Sequence, residues 1–515
     1  MVLSSTVFTS DLADIETGDR TVHGLVLEAC AAHRGRVALV DGRSDTLTTY
    51  AELEDRVRRL AGGLLSRGLA PGDVLAICAP NIPATAEMAL GAMAAGMTVA
   101  MLSPGSTPEE LSHQLAACRA GTLFTVPPFA EMVCSVGHQA GVTEVIVAGD
   151  APDCTPLSQL AAARPLSELP GADAGQTAVI FRSSGTTDLP KGVELSHRAI
   201  VSAVRQAQAL LQLTAWDVSV TVTPLFHVMG FVAMLCAPLS AGAGVVTMPR
   251  FEPQLFMDLV DRHKVTVVAA APPMAPVLLA ENARDRLGSL EVIVSSGSAL
   301  ARPLEIALQD RFPMATVGQG WGLTEVPGVS VPRRGHSQPV GSVGKLVPNT
   351  RLRVVDIDTG RDVPAGRTGE LWVSGPHLMT GYLDDPVATA ERLGGDGWLH
   401  TGDLGHVDSE GYVFLEGRAK DLVRSDGIRY GPAEIEEVLL THPSVADAVV
   451  VGRPDAERGE APVAFVVMRS EVSEGALLAW VAERVEPHRQ LREVRFIDAI
   501  PRSPAGKILR RLLGP

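Results

Sequence analysis

One stretch of the chain has the residues to hold a polyphosphate. FRSSGTTDLPKG, at 181 to 192, follows a strand-like run, AVIF (178 to 181), and ends at Lys191. Its Ser and Thr hydroxyls are hydrogen-bond donors, and Gly185 lets backbone amides approach an anion closely. The spacing differs from GxxxxGKS, which excludes a Walker loop. Taken alone, the run is equally compatible with a solvated surface loop.

Other stretches of the sequence decide whether this run binds a phosphate or is a solvated loop. They are QGWGLTE (319 to 325), GWLHTGD (397 to 403), GRAKDLVRSDGIRYGPAEIEEVL (417 to 439) and SPAGKILRR (503 to 511). In this order and at these separations they resemble the ANL superfamily of adenylate-forming enzymes, and the match runs over nearly the whole chain. Within that superfamily, the segments MPRFEPQLF, QPVGSVGKLVPNT and THPSVADAVVVGRPD are most similar to bacterial 4-coumarate:CoA ligases.

The resemblance implies an ATP-dependent, AMP-forming ligase. A carboxylate attacks the α-phosphate of ATP, pyrophosphate leaves, and a nucleophile then takes the acyl group from the adenylate. Lys507 would bridge the attacking carboxylate and the α-phosphate. The residues expected around the β- and γ-phosphates are Ser183, Ser184, Gly185, Thr186, Thr187 and Lys191.

The same resemblance places the rest of the nucleotide. Gly320 and Trp321 would contact adenine, Thr324 the α-phosphate, and Glu325 would ligate Mg²⁺, which prefers hard oxygen ligands. The ribose hydroxyls would bind Asp403, with Arg418 beside it. Each residue alone also has a simpler explanation, as a core aromatic, a turn or helix cap, a surface ion pair or one cation of a basic tail.

The acyl site is expected around TPLFHVMGF (223 to 231). His227 matches a position that gates the acyl tunnel, although a buried core histidine is the alternative. Met and Phe walls favour a flat or apolar acid. The expected lining residues are Met229, Phe231, Gly297 and Val329.

Two places depart from the resembling family. Asp188 stands where Gly is usual, and a carboxylate near a polyphosphate is repelled by roughly 1 kcal/mol or more. Either Arg182 compensates for this charge or Asp188 points to water. In RSDGIRYGP, Asp426 replaces Lys, and Tyr430 replaces Val and is expected to narrow the tunnel for CoA.

These departures leave the final acceptor open. Transfer to CoA is the leading hypothesis, because most of the resembling enzymes use it. The alternatives are an amine, a carrier-protein thiol, or activation of nitrite for an aromatic amine. A catalytically silent nucleotide-binding protein is a further alternative, but the presence of Lys507, Glu325 and Asp403 argues against it.

Composition limits the other functional classes. A net charge of −15 disfavours nucleic acid and anionic membranes as partners. The six cysteines are scattered without CxxC spacing, so neither a zinc site nor a disulfide framework is predicted, and a cytoplasmic location is expected. No export signal or membrane span is visible in the sequence.

The length of 515 residues predicts at least two domains. Short apolar runs alternating with helical segments predict an α/β fold of mainly parallel sheets flanked by helices. From about residue 340 the pattern changes to a β-rich, barrel-like part. The predicted organisation is an N-terminal adenylate-forming domain at 1–417, a hinge at 418–421 that contains Lys420, and a small mobile α+β C-terminal domain at 422–515.

Overall fold

The computed structural model of the chain describes residues 7–183, 190–425, 428–455, 458–502 and 508–513. Two parallel sheets flanked by helices are followed by an antiparallel sheet and a separate C-terminal sheet. The predicted α/β fold class is therefore confirmed. Within the ranges given above, no helix is both long and apolar enough to cross a membrane.

The first parallel sheet ends in an antiparallel hairpin at one edge. Strand Gly192–Ser196 pairs antiparallel with Thr177–Arg182 and with Gly381–Tyr382. The remaining strands run parallel, as the apolar runs in the sequence predict. In spatial order the strands are Gly381–Tyr382, Gly192–Ser196, Thr177–Arg182, Thr98–Leu102, Val74–Cys78, Thr122–Thr125, Glu144–Val147 and Thr155–Pro156.

The second parallel sheet shares its buried helices with the first. Helix Pro83–Ala94 contacts strands of both sheets, and almost all of its side chains are buried. The helix and the strand that follows it, Thr98–Leu102, are therefore both part of the buried interior. In spatial order the strands are Thr316–Gln319, Val292–Ser295, Val267–Ala270, Val218–Thr221, Gly244–Thr247, Val37–Asp41 and Leu47–Thr49.

The antiparallel sheet begins where the second parallel sheet ends. Gly320 alone separates strand Thr316–Gln319 from strand Trp321–Leu323, so residues 319–325 lie at the junction of the two sheets. In spatial order the strands are Val7–Thr9, Arg351–Val355, Gly369–Ser374, Leu399–Val407, Tyr412–Arg418, Ser342–Leu346, Val326–Val331 and Trp321–Leu323.

The C-terminal sheet follows a short 3₁₀ turn, Ala419–Asp421, which comes directly after strand Tyr412–Arg418. It has its own buried cluster, which includes Val423, Ile435 and Val466. The domain boundaries at 417 and 421 stay predictions. The strands are Ile428–Tyr430, Val423–Ser425, Gly459–Met468, Val445–Asp455 and Glu493–Phe496.

Local sequence explains where several helices begin. Helices Tyr50–Ser66 and Pro108–Cys118 each start at a capping box, in which a Thr and a Glu satisfy otherwise unpaired amides. The other α-helices are Val22–Ala32, Pro83–Ala94, Pro127–Gln139, Leu157–Ala161, His197–Leu211, Val228–Phe231, Ala237–Ser240, Pro253–His263, Ala275–Leu279, Arg302–Arg311, Pro386–Arg392, Ala433–Leu440 and Glu474–Ala482. Shorter helical segments are Val232–Cys236 (π) and Pro272–Met274, Glu281–Ala283, Pro487–Arg489 and Arg510–Leu513 (3₁₀).

Candidate active site

The predicted phosphate loop connects two paired strands. Arg182 and Gly192 are partners in the antiparallel ladder, and the Ser183 amide donates to the Lys191 carbonyl at 2.9 Å. The two ends of the loop are therefore held together at the edge of the first parallel sheet. The predicted phosphate contacts Ser184, Gly185, Thr186 and Thr187 lie outside the described residues, and their roles stay predictions.

Arg182 contacts one backbone carbonyl at the exit of this loop and one on helix Pro108–Cys118. Its Nη2 donates to the Gln114 carbonyl at 2.8 Å, and its Nη1 donates to the Pro190 carbonyl at 3.3 Å. Burial lowers the pKa of this guanidinium from its ordinary value. Arg182 thus ties the exit of the loop to helix Pro108–Cys118. Its predicted partner Asp188 lies outside the described residues, so the compensation hypothesis stays untested.

Lys191 is held by two residues that the sequence did not single out. Its Nζ lies 2.9 Å from Asp385 Oδ2 and 5.3 Å from the centre of the Tyr382 ring. Asp385 also caps helix Pro386–Arg392 by accepting from the Ala388 amide at 2.9 Å. The Ala388 amide and the Lys191 cation both lower the pKa of this carboxyl group. Lys191, which is expected at the β- and γ-phosphates, is therefore tethered through its ammonium group in this structure.

Tyr382 connects Lys191 to the predicted metal ligand. Its hydroxyl donates to Glu325 Oε1 at 2.7 Å, and Glu325 is only 6% exposed. Burial and the neighbouring Glu325 carboxylate raise the pKa of Tyr382 above its ordinary value, so the phenol stays protonated and remains a donor. One tyrosine therefore touches both the cation beside the phosphate loop and the carboxylate predicted to hold Mg²⁺.

The residues present fit a magnesium ion that is bound mainly through the nucleotide. In the part of the chain that the structure describes, no group of three or more His, Cys, Asp or Glu could hold a metal ion. Mg²⁺ in nucleotide sites is usually held by one or two carboxylates together with phosphates and waters. The single buried carboxylate of Glu325, fixed by Tyr382, suits that arrangement.

Trp321, Asp403 and Arg418 form one bonded group. Trp321 Nε1 donates to Asp403 Oδ2 at 2.8 Å, and Arg418 Nε lies 2.8 Å from Asp403 Oδ1. Asp403 and Arg418 are also partners in the antiparallel ladder. Because a carboxylate can accept about four hydrogen bonds, these two donors leave capacity for ribose hydroxyls. The structure brings the three residues together, and their contacts with adenine and ribose stay predictions.

Gly320 and Thr324 flank this group in the chain. The Gly320 amide donates to the Ser295 carbonyl at 2.8 Å, which joins the two sheets at their junction. A Cβ at Gly320 would lie 3.2 Å from Val294 Cγ1, so little room exists for a larger residue. Thr324 is half-buried in the turn that follows strand Trp321–Leu323.

The predicted acyl-site residues divide into partly exposed and buried ones. His227 and Met229 are half-buried, and the His227 ring centre lies 5.0 Å from that of Phe226. Phe231 and Val329 have no exposed surface and belong to the main core, where Phe231 packs edge-to-face on Phe181 at 5.8 Å. These contacts give Phe231 and Val329 packing roles. Their place in the acyl pocket stays a prediction.

Gly297 follows strand Val292–Ser295, whose last residue lines a small apolar cavity. Its φ of +91° requires glycine-like freedom one residue after Ser296. The cavity has a volume of about 10 Å³, close to that of one water molecule, and Ser295 Oγ in its wall has no described hydrogen-bond partner. A larger cleft of about 890 Å³, lined by residues such as Thr9 and Asn349, contains none of the predicted site residues.

The predicted hinge residue Lys420 lies in the exposed 3₁₀ turn Ala419–Asp421. Lys507 lies outside the described residues, but its flanks are bound to the C-terminal domain. Arg502 Nη2 lies 2.8 Å from Asp447 Oδ2, and Arg510 Nη1 lies 2.7 Å from Glu436 Oε1. The described residues Arg502 and Arg510, on either side of that segment, are therefore each held by an ion pair.

The hairpin at 424–430 faces the N-terminal part of the chain through Arg429, which forms an ion pair with Asp358. Tyr430 instead points into the C-terminal core, where it is 4% exposed and its hydroxyl donates to the His488 carbonyl at 2.9 Å. The expectation that Tyr430 narrows a tunnel for CoA is therefore wrong, because the side chain fills its own domain. Asp426 lies outside the described residues.

Comparison with known proteins agrees with this arrangement. The model of the AMP-binding enzyme family matches residues 26–383, and the model of the AMP-binding enzyme C-terminal domain matches residues 434–507. The chain is 37% identical to 4-coumarate--CoA ligase 5 of Oryza sativa subsp. japonica and 35% identical to 4-coumarate--CoA ligase of Pinus taeda. Each alignment covers 98% of this chain and 96% of the relative.

Solved structures show the same likeness. ATP-bound MatB from Rhodopseudomonas palustris has a TM-score of 0.89 at 26% identity, covering 96% of this chain and 98% of that one. The amide bond synthetase McbA from Marinactinospora thermotolerans has a TM-score of 0.86 at 28% identity, covering 95% and 99%. The chain therefore belongs to the AMP-binding enzyme family of adenylate-forming ligases.

Proposed function

We propose that this ligase uses ATP and Mg²⁺ to activate a small aryl or cinnamic-type carboxylic acid as its acyl adenylate and then transfers the acyl group to CoA. The full-length similarity to proteins named 4-coumarate--CoA ligases supports the acid and the acceptor. The observation that carries the proposal is the link from Lys191 through Tyr382 to Glu325, because it joins a phosphate-loop cation to a carboxylate suited to Mg²⁺.

Different residues of the chain would have different roles in adenylation. Ser183 to Thr187 and Lys191 would bind the β- and γ-phosphates and stabilise the charge that grows as pyrophosphate leaves. Glu325 would hold Mg²⁺, which supplies further positive charge to the phosphates when bound. Asp403 would accept from the ribose hydroxyls, while Trp321 and Arg418 keep its carboxylate oriented.

Lys507 would deliver a cation to the attacking carboxylate and the α-phosphate. Such a contact accelerates the reaction only if it stabilises the transition state more than it stabilises bound ATP. The C-terminal domain would then rotate about Lys420 so that the hairpin at 424–430 replaces Lys507 at the site. Hinges of this kind are short segments at the ends of elements, as the turn Ala419–Asp421 is.

The C-terminal hairpin favours CoA over a non-thiol acceptor. Tyr430 packs inside its own domain, so its bulk does not narrow the path of CoA. Arg424 is exposed and its guanidinium suits phosphate, since Arg binds phosphate oxygens through a planar fork. The negative charge of Asp426 opposes CoA binding, because repulsion between a carboxylate and a CoA phosphate costs about 1 to 2 kcal/mol for a partly exposed pair.

A second candidate is amide formation, in which an amine takes the acyl group. It is favoured by the structural likeness to the amide bond synthetase McbA, which extends over 95% of this chain. Both candidates share the adenylation step and differ only in the acceptor.

The decisive experiment measures pyrophosphate and AMP release with a panel of aryl and cinnamic acids. CoA, ammonia, simple amines, or nitrite with an aromatic amine are added in turn. The proposal expects acid-dependent pyrophosphate release that Lys507→Ala abolishes, and AMP release that CoA stimulates most. Stimulation by amines alone would establish the second candidate, and release that requires nitrite would overturn both.

A further inference from the structure

Two half-buried cysteines meet at one edge of the first parallel sheet. Cys134 lies on helix Pro127–Gln139, and Cys154 directly precedes strand Thr155–Pro156. Their Sγ atoms are 3.1 Å apart, and both side chains pack against the same apolar cluster. We propose that Cys134 and Cys154 form a thiol-modification site that small disulfides oxidise reversibly to an intramolecular disulfide.

The geometry requires little movement. A disulfide bond is about 2.05 Å long, so the two sulfur atoms need to approach by only about 1 Å. Asp153, immediately before Cys154, has a φ of +54°, a left-handed conformation that Asp tolerates better than most residues. This turn directs the chain so that Cys154 reaches the helix.

The other cysteines are protected from the same oxidants. Each is at most 3% exposed, whereas Cys134 and Cys154 are half-buried. An oxidant in solution therefore reaches the pair first. The protected cysteines are Cys30, Cys78, Cys118 and Cys236.

The two thiols are hydrogen-bonded to each other, and burial and this contact raise the pKa of Cys134 to about 12. One thiol of the pair, as its thiolate, attacks one sulfur of a small disulfide, forming a mixed disulfide and releasing one thiol. The other thiol then loses its proton and attacks the protein sulfur of that mixed disulfide, which releases the second thiol. Two protein thiols are oxidised and one small disulfide is reduced to two thiols.

The disulfide would join a helix to the edge strand of the sheet, across 20 residues of sequence. That strand is already held at Thr155, which donates to Glu144 at 2.9 Å and accepts from Arg67 at 3.0 Å. Strand Gly381–Tyr382, which carries the candidate site, lies at the opposite edge of the sheet. Oxidation is therefore expected to stabilise the protein without changing adenylation.

The test uses the reduced full-length protein and oxidised glutathione. Thiols are counted after denaturation, and linked peptides are identified by mass spectrometry. We expect the loss of two of the six thiols, a Cys134–Cys154 linked peptide, a higher thermal midpoint, and reversal by dithiothreitol. Cys118→Ala, a control in the same apolar cluster, should still form the link. Cys134→Ser and Cys154→Ser should not form it, and oxidant should not raise their thermal midpoints.

Three results would overturn the proposal: no loss of thiols, a mixed disulfide that persists in the parent protein, or a link that involves another cysteine. An unchanged thermal midpoint in the linked protein would contradict the expectation that the disulfide stabilises the protein by joining the helix to the edge strand. A changed rate of pyrophosphate release after oxidation would contradict the expectation that the cysteine pair is too far from the candidate active site to affect adenylation. Thiol counts and peptide masses do not depend on the proposed ligase activity, so failure of that activity leaves this test intact.

Discussion

Replacing Tyr382 by Phe removes one hydroxyl group and leaves the rest of the site in place. The ring that lies 5.3 Å from Lys191 Nζ is retained, so its contact with the cation persists. What is lost is the hydrogen bond of 2.7 Å to Glu325 Oε1. Glu325 would remain buried but lose the donor that orients its carboxyl group.

The size of the effect follows from the type of bond. A hydrogen bond to a charged group contributes about 1.5 to 3 kcal/mol, which corresponds to roughly a 10- to 150-fold change in an equilibrium constant. Removing a residue that orients a metal ligand typically costs about 10- to 100-fold in metal affinity or activity. We therefore expect Tyr382→Phe to weaken binding of the metal–ATP complex by about tenfold or more.

The assay compares Mn²⁺–ATP binding, followed by electron paramagnetic resonance, with the Mg²⁺ dependence of pyrophosphate release. Tyr412→Phe is the matched control, because its hydroxyl lies outside the site and makes one long hydrogen bond among the described residues, to the Ser337 carbonyl at 3.5 Å. A purely structural role for Tyr382 would lower the thermal midpoint and leave metal dependence unchanged. If folded Tyr382→Phe binds Mn²⁺–ATP as the parent does, the inferred link between Tyr382 and the metal site is refuted.

Three further perturbations test other parts of the molecule. Lys507→Ala should slow adenylate formation by orders of magnitude while ATP binding, measured by calorimetry, weakens little; equal losses would contradict this. Lys420→Pro fixes φ at the hinge and should impair one half-reaction more than the other in single-turnover assays, whereas equal rates would exclude a hinge there. Burial lowers the pKa of His23 to about 3, of His197 to about 4 and of His377 to about 3. As the pH falls, each of these histidines binds a proton in the unfolded chain before it does so in the folded protein. The stability that depends on their neutral form should therefore be fully present above pH 6.5, and the free energy of unfolding should fall by about 1.4 kcal/mol per pH unit for each histidine down to about pH 4. Thermal midpoints of the parent and of His377→Gln between pH 7 and 5 check this, and equal slopes would exclude His377.

Much of the fold was predictable because its signals are local. The apolar runs at 74–78, 98–102 and 122–125 are strands, and the helix and strand between 86 and 102 are buried, as their composition indicates. The nucleotide-site motifs also lie in short stretches, so Trp321, Glu325 and Asp403 could be named from their spacing and family resemblance. The roles of these residues toward ATP stay predictions.

The contacts between distant residues were not predictable from such patterns. Lys191 and Asp385 are 194 residues apart, and Glu325 and Tyr382 are 57 apart. Lys191 reaches Asp385 because Val193 pairs with Tyr382 in the first parallel sheet, and Glu325 lies beside Tyr382 because its carbonyl accepts from the Met379 amide at 2.8 Å. No short stretch of sequence specifies either contact. Cys134 and Cys154 likewise meet only through the packing of a helix on a sheet edge.

Tyr430 is a residue whose contacts the sequence mispredicted. The resemblance placed it near a ligand path, but the alternation of a strand sends successive side chains to opposite faces, and Tyr430 falls on the face that fills the C-terminal core. Residue type and spacing were enough to name the chemistry and most of the elements, since both depend on neighbours within a few positions. Which side chains bond one another depended on the pairing of strands far apart in the chain, and that pairing is settled only when the whole core packs.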